Sequence, residues 1–156
     1  MSSNATDNSN VSSIGFLRTT EDYDGKIDTA DVTYRQSPTG NKGITLDAKL
    51  ELKNPDPSDG RAYFIGMQID FPPTLTTGTH SLTETWPDII RVGRFTQLDS
   101  QRTSIPADSG SLTLKLFDAN LGHAQGSLEA HIPMDGASRK FTAEFDIRDE
   151  TEKSIY

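Results

Sequence analysis

Apolar and polar residues alternate with a period of two along most of the chain between residues 14 and 147. The clearest case is Ile44–Leu52, where every second residue is apolar and the residues between them are Thr, Asp, Lys and Glu. Successive side chains of a β-strand point to opposite faces of the sheet, so this segment predicts a strand with one buried face and one solvent-facing side. Leu112–Leu116, Leu128–Ile132 and Phe141–Ile147 alternate in the same way. The four segments together indicate antiparallel sheets with one face in water.

The segment Arg61–Phe71 is apolar almost throughout, which predicts a central strand that is covered on both faces. Weaker alternation predicts further strands over Ile14–Thr20, Val32–Gln36, Thr79–Thr83 and Ile89–Gln97. The segments that connect these strands are rich in Pro, Gly, Asn and Asp, which favour turns, and include Pro38–Asn41, Asn54–Gly60, Asp108–Gly110 and Asp135-Gly136. We therefore predict an all-β fold, an antiparallel two-sheet β-sandwich of about eight or nine strands. A single closed sheet is the alternative, but no strand pattern indicates a ligand-sized interior.

The two ends of the chain differ from this alternating region. Residues 2–13 are almost entirely Ser, Asn, Thr and Asp, so we expect residues 1–13 to form a disordered polar leader. Residues 14–148 are expected to form the sandwich domain, and the charged residues 149–156 a frayed tail. The leader has no signal-peptide pattern. A polar tether before a compact β domain is typical of exported proteins, so we expect a periplasmic, cell-surface or secreted protein whose export signal lies outside this sequence, with a cytoplasmic protein as the alternative.

Composition limits the classes of function. The 156 residues include 15 Lys and Arg against 23 Asp and Glu, a formal net charge of −8, and no cysteine. The length is that of one domain. Without cysteine there are no disulfides, no thiolate catalysis and no cysteine-bound metal. The acidic charge argues against binding to nucleic acid, whose phosphates require clustered Lys and Arg. Since no apolar run approaches the ~20 residues of a membrane span, we expect no transmembrane segment.

An acidic segment near the N-terminus is the strongest candidate for a metal site. Aligned on Asp24-Gly25, it resembles the calcium loop of dockerins and EF-hands, with possible oxygen ligands at Asp22, Asp24, Asp28 and Asp31. Two features depart from that loop: Thr20 occupies the first ligand position, and the flanking residues predict strands rather than helices. The alternative is a β-hairpin that turns on Asp24-Gly25. Apart from Ca²⁺ at this loop, no cofactor is expected.

The single tryptophan is the strongest candidate for ligand contact. Trp86 lies in a polar segment with Glu84 and Asp88, where its ring could stack on a sugar or anchor a protein partner. Tyr23 is a further candidate because it could extend an aromatic surface. We therefore predict Trp86, Glu84, Asp88 and Tyr23 as ligand-binding residues. The alternative is that Trp86 caps one end of the sandwich core.

Nothing in the sequence indicates a catalytic site. The three histidines, His80, His123 and His131, are not spaced as a motif and are interpreted as surface residues. The chain has no Gly-x-Ser-x-Gly elbow, no nucleotide-binding glycine motif and no carboxylate pair that stands out. Arg91, Arg94 and Arg102 form a small basic group. Because the first two lie three residues apart on a predicted strand, they face opposite sides, and we interpret the group as solvated.

The last third of the chain carries a resemblance to a known class of proteins. Strands begin at Ser109-Gly110-Ser111-Leu112 and at Gly126-Ser127-Leu128, and a closing strand contains Phe141 and Phe145-Asp146. Together with the turn at Thr77-Gly78-Thr79, this layout is similar to that of small β-sandwich lipoproteins of bacterial envelopes. The resemblance implies a β-sandwich in an envelope or extracellular setting, and it implies no activity and no site residues.

These observations favour a non-enzymatic binding module that recognises a protein or a glycan through its loops. The alternative is an acidic inhibitor, immunity-type or structural interaction protein, whose charge would steer it towards a basic partner. A hydrolase is the third hypothesis.

Overall fold

The computed structural model describes residues 13–23, 25–37, 43–85 and 88–149, and these residues form two antiparallel β-sheets. Eleven strands are present in this part of the chain. In chain order they are β1 (Ser13–Glu21), β2 (Asp28–Thr29), β3 (Val32–Gln36), β4 (Ile44–Leu52), β5 (Tyr63–Phe71), β6 (Gly78–Ser81), β7 (Arg91–Leu98), β8 (Gln101–Pro106), β9 (Ser109–Asp118), β10 (His123–Met134) and β11 (Ala137–Asp149). The described residues contain no helix with the length and apolar character needed to cross a membrane.

The first sheet has six strands in the order β2-β1-β11-β10-β9-β6, and the second has five in the order β3-β4-β5-β7-β8. The sheets are open and separate, which confirms the predicted all-β sandwich. Strands β1, β2 and β9–β11 belong to the first sheet, and β3–β5, β7 and β8 belong to the second. Between β5 and β7 the chain returns briefly to the first sheet, where β6 forms an edge strand. The segment that follows β6 approaches the second sheet, since Thr83 forms a β-bridge with Ile90 just before β7.

The core lies between the sheets and consists of the apolar residues of the alternating pattern. Leu46 and Ile69, on paired strands of the second sheet, are fully buried, as are Leu114, Phe141 and Phe145 of the first sheet. Each fully buried side chain of this size contributes roughly 1.5–3 kcal/mol through removal from water. The period-two pattern is therefore sufficient for a continuous core in a chain that is only 33% hydrophobic.

Each of the nine predicted strands corresponds to a strand of the structure, and β5 is central in its sheet as predicted. The expected cover on both faces of β5 was wrong, because Phe64, Gln68 and Asp70 on its outer face stay partly exposed. Two strands were not predicted. β2 has only two residues, and β8, at the edge of its sheet, lacks an apolar alternation. The first strand begins at Ser13 and the last ends at Asp149, one residue beyond the predicted domain at each end. The remainder of the predicted leader and tail lies outside the described residues.

One charged pair lies inside the sandwich. Arg94 points to the core face of β7 and is 3% exposed, and its Nη1 lies 3.4 Å from Oδ1 of Asp22, whose side chain is fully buried. The guanidinium also lies 5.3 Å from the ring centroid of Phe141 in the opposite sheet. Arg91 and Arg94 do face opposite sides of β7, but the interpretation of the three arginines as solvated was wrong for Arg94 and for Arg102, which has a side chain only 24% exposed.

Candidate functional site

The outer face of the five-stranded sheet carries two adjacent rows of residues that are all polar except Gly93. The alternation that buries Leu46, Ile69 and Val92 turns their neighbours away from the core. Thr45 of β4 is paired with Asp70 of β5, and Asp70 is paired with Arg91 of β7. The adjacent row, two residues along each strand, consists of Asp47, Gln68 and Gly93.

Arg102 of β8 crosses this face and anchors the second row. Its Nη1 and Nη2 donate to the two carboxylate oxygens of Asp47, at 2.7 and 3.2 Å, and its Nε donates to Oε1 of Gln97 at 2.8 Å. The guanidinium is stacked over Phe95, 3.6 Å from the ring centroid. Asp47 and Gln97 are both buried. The planar guanidinium suits this combination of a bidentate carboxylate and an aromatic ring.

Gln68 connects Arg102 to Asp70. Nη1 of Arg102 donates to Oε1 of Gln68 at 3.1 Å, and Nε2 of Gln68 donates to Oδ2 of Asp70 at 3.1 Å. An arginine can only donate and a carboxylate only accepts, so the two neighbours determine the orientation of the amide. Thr45 adds a hydrogen bond from its hydroxyl to Oδ1 of Asp70 at 2.7 Å. The carboxylate of Asp70 is therefore held in place by its neighbours.

A groove lies beside this carboxylate. Two adjoining concavities of about 560 and about 580 Å³ share Gln68, Asp70 and Arg91 in their linings. We call this surface the Asp70 groove. Its remaining lining residues include Thr45, Phe71, Pro72, Pro73, Asp88 and Ile89 on one side of Arg91, and Glu84, Val92, Gly93, Ser104, Pro106 and Ala107 on the other. Each concavity is within the size range of small-ligand sites, roughly 300–1,000 Å³.

Gly93 contributes to the depth of the groove because it has no side chain. A Cβ built on Gly93 would lie 3.4 Å from the backbone oxygen of Ile105, an ordinary contact, so the packing does not require glycine at this position. Gly66, on the same face, is different: a Cβ there would lie 2.2 Å from both the ring of Phe95 and the backbone oxygen of Ala48. Gly66 serves packing, whereas Gly93 leaves space open.

One wall of the groove is formed by Glu84, Asp88 and Ile89, which lie in the segment between β6 and β7. Glu84 receives a bidentate contact from Arg91, with Nε and Nη2 each 2.8 Å from Oε1 and Nε 3.1 Å from Oε2. The hydrogen bond to Glu84 raises the pKa of Arg91 above its ordinary value, with smaller contributions from the charges of Glu84 and Asp70. The β-bridge between Thr83 and Ile90 holds this segment against the start of β7.

The predicted ligand-binding residues fall in different places. Glu84 and Asp88 both line the Asp70 groove. Trp86, which lies between them in the sequence, is outside the described residues. Tyr23 is exposed, and its hydroxyl donates to Asp135 of the β10–β11 turn at 2.8 Å while Arg139 stacks on its ring at 4.0 Å. The structure thus brings two of the four residues to one groove and places Tyr23 at the six-stranded sheet.

The predicted calcium ligands also take different positions. Asp22 faces Arg94 in the interior, whereas Asp28 is exposed in β2 with Arg18 3.7 Å away, and Asp31 is exposed. Asp24 lies outside the described residues. In the described part of the chain, no group of three or more His, Asp and Glu side chains is close enough to hold a metal ion. Calcium binding at this loop stays a prediction.

The alternative for that segment, a hairpin, agrees with the observed pairing. β1 and β2 pair antiparallel through Leu17 with Thr29 and Arg18 with Asp28. The backbone N–H of Thr19 donates to the carbonyl of Ile27 at 2.7 Å, and Gly25 has a φ of 98°. The chain therefore reverses direction between β1 and β2.

The histidines lie away from the Asp70 groove. His123 is 2.7 Å from Oδ1 of Asp146, and His131 is 3.3 Å from Oε2 of Glu129, both on the six-stranded sheet. His80 contacts the carbonyl of Thr76 at 2.7 Å. All three are partly exposed, as predicted for surface residues. The six-stranded sheet also carries a concavity of about 310 Å³, lined largely by Ser and Thr, which is smaller than either half of the Asp70 groove.

The sequence did not single out Asp47, Gln68 or Asp70, and Arg102 was noted only as one of three arginines interpreted as solvated. A signal was nevertheless present, because Gln68 and Asp70 interrupt the most apolar predicted strand at alternate positions. Two polar residues on one face of a central strand indicate that this face has a polar role. The partners from β8 could not be identified, since that strand was not predicted.

Comparison of the chain with protein-family models, with curated proteins and with solved structures finds no match.

Proposed function

We propose that this protein is a non-enzymatic glycan-binding module and that the Asp70 groove is its binding site. The observation that carries the proposal is a preorganised carboxylate, Asp70, in a groove large enough for a short oligosaccharide. The proposed site is a sheet face with one loop wall, rather than a cluster of loops at one end of the sandwich.

The chemistry of the groove supports a sugar ligand. Sugars present hydroxyls that both donate and accept, beside apolar C–H surfaces. The groove offers acceptors at Asp70 and Glu84 and donors at Arg91. Its apolar walls come from Pro72 and Ile89 on one side of Arg91, and from Pro106 and Ala107 on the other. Ligand sites of this kind combine apolar walls with a few fixed polar groups.

Sugar-binding sites often include an aromatic ring that stacks on the sugar, and among the described residues of the sheet face no ring is open for such stacking. The two phenylalanines on that face, Phe64 and Phe95, are each covered by a cation: Lys49 lies 4.8 Å from the ring centroid of Phe64, and Arg102 lies 3.6 Å from that of Phe95. The predicted contact between Trp86 and the ligand would supply a ring, and that contact stays a prediction.

The proposal is tested with a glycan array, followed by isothermal titration calorimetry on the hits. Gly93→Val places a branched side chain into the groove at a position where a Cβ fits, so we expect a folded protein that has lost at least about tenfold in affinity. The matched control is Gly60→Val, the same substitution in the β4–β5 connection, where a Cβ would meet nothing within 4 Å and the residue does not line the groove; it should leave the affinity unchanged.

Two results would contradict the proposal. One is an array without hits among neutral and acidic glycans alike. The other is a glycan affinity that Gly93→Val leaves unchanged while circular dichroism shows that the variant is folded. If no glycan binds but a purified protein partner does, and Gly93→Val abolishes that association, the groove is a protein-binding site instead.

A further inference from the structure

We infer that the Asp70 groove selects uncharged sugars and excludes acidic ones such as uronic acids. This inference rests on the proposed glycan binding and specifies its ligand class. It is based on the charges that line the groove and on the hydrogen bonds that already engage them.

The balance of charge in the groove is negative. Among its described lining residues there are three carboxylates, Asp70, Glu84 and Asp88, and one cation, Arg91. The protein as a whole carries a formal charge of −8. An anionic ligand would therefore approach a surface of its own sign, both at a distance and in the site.

The charge of Arg91 is already neutralised by a carboxylate of the groove. Glu84 engages Arg91 at Nε and at Nη2, the edge of the guanidinium that would otherwise receive a carboxylate in a bidentate arrangement. The nearby Arg102 is engaged by Asp47 at Nη1 and Nη2 and also donates to Gln68 and Gln97. To bind a uronate, Arg91 would have to exchange one carboxylate for another, with no gain in charge pairing.

Asp70, by contrast, is suited to ligand hydroxyls. A carboxylate offers about four acceptor positions, and Thr45 and Gln68 fix its orientation from one side. A sugar hydroxyl can donate to the remaining positions, whereas a sugar carboxylate at the same place would face the carboxylate of Asp70. Gln68 and Arg102 act here as positioning residues, because they orient the carboxylate without being required to touch the ligand.

The test compares neutral oligosaccharides with their C6-oxidised counterparts, in which a carboxylate replaces each hydroxymethyl group. The probes are hexamers of glucose, mannose and galactose and the corresponding uronic-acid hexamers, measured by calorimetry at low and at high salt. We expect a neutral hexamer to bind about tenfold or more tightly than its acidic counterpart at low salt. The ratio of the neutral to the acidic affinity should decrease at high salt, because salt screens the repulsion between the acidic hexamer and the groove.

Variants connect the selectivity to the groove. Asp70→Asn removes one negative charge and should reduce the neutral-to-acidic ratio, through weaker binding of the neutral hexamer and stronger binding of the acidic one. Glu129→Gln removes one charge from the six-stranded sheet and should leave the ratio unchanged. Circular dichroism and thermal melting are used to establish whether both variants are folded.

The outcomes separate the inference from the proposed function. If the acidic hexamers bind as tightly as the neutral ones or more tightly, and Gly93→Val abolishes that binding, the inference is overturned while glycan binding stands. If neither class binds, the proposed function fails and the inference fails with it. A preference for neutral hexamers that Asp70→Asn does not reduce would also overturn the assignment of selectivity to this groove.

Discussion

At the scale of single residues, the decisive features are polar groups whose surroundings differ from what their residue type suggests. Arg102 and Arg94 were expected in water, yet one lies against Phe95 and the other inside the sandwich. The alternating pattern identifies which face of a strand a residue belongs to. It does not show how deeply that face is covered, because the covering side chains come from strands that are distant in the sequence.

Tyr34 gives a prediction for the dependence of stability on pH. It is 3% exposed, and its hydroxyl has no hydrogen-bond partner in the described part of the protein. Burial, with repulsion from Asp149 and Asp118, raises its pKa from 10.0 to about 12. Below pH 10 both folded and unfolded states are protonated, and between pH 10 and 12 only the unfolded state ionises, so this group lowers stability over that interval.

The measurement is urea unfolding of the wild type and of Tyr34→Phe at pH 9 and near pH 11.5. The wild type should lose roughly 2 kcal/mol more than Tyr34→Phe over this interval. Tyr63→Phe, which removes the hydroxyl of a partly exposed tyrosine in β5, serves as the control and should retain the wild-type loss. Equal losses in the wild type and Tyr34→Phe would contradict the assignment.

At the scale of strands, the alternation of apolar and polar residues was sufficient to predict a strand that has one apolar face. It did not predict the strands that lack such a face. β4 was predicted with its observed bounds, Ile44–Leu52, because its buried positions are apolar at every second residue. β8 has the sequence QRTSIP with a single large apolar residue, Ile105, and its pairing with β7 follows a turn in which Asp99 has a φ of 52°. The short strand β2 depends on the chain reversal after β1, which the Asp24-Gly25 hairpin alternative anticipated.

The contacts of Arg102 join strands β4, β5, β7 and β8, and they give a prediction at this scale. Arg102→Met should lower the free energy of unfolding by about 2–3 kcal/mol, because it leaves the buried carboxylate of Asp47 without its bidentate partner. Arg102→Lys should recover only part of the loss, since an ammonium cannot reproduce the planar contacts. Chemical denaturation provides the measurement.

The control for this prediction is Arg18→Met in β1. Arg18 pairs with Glu144 at 3.0 Å, but both side chains are about half exposed, so the loss should stay below about 1 kcal/mol. If the two methionine variants lose the same stability, the Arg102 contacts do not hold the strands together as described.

At the scale of the whole molecule, the pair between Asp22 and Arg94 connects the two sheets. Asp22 follows β1 in the six-stranded sheet, and Arg94 belongs to β7 in the five-stranded sheet. Asp22→Asn keeps the shape of the side chain but removes its charge beside a buried guanidinium. We expect a loss of about 3 kcal/mol, measured by urea unfolding.

The control for that loss is Asp28→Asn, which neutralises an exposed aspartate of the same predicted calcium loop and should change stability by less than about 0.5 kcal/mol. Adding Arg94→Met to Asp22→Asn should restore part of the stability, because it removes the unbalanced charge. If the stability lost by the double variant equals the sum of the losses of the two single variants, the two side chains are not coupled.

The calcium prediction is tested on the wild-type protein, since Ca²⁺ bound at the loop would raise its melting temperature.

The floor and the wall of the Asp70 groove belong to different kinds of structural element. The floor belongs to a sheet whose residues are fixed by pairing and by the contacts of Arg102, whereas the wall with Glu84 is a short connection between β6 and β7. A connection can accept substitutions that a paired strand cannot. The domain is therefore suited to selection experiments: a library randomised only at the wall would retain the framework, and its members would differ in the ligands they recognise.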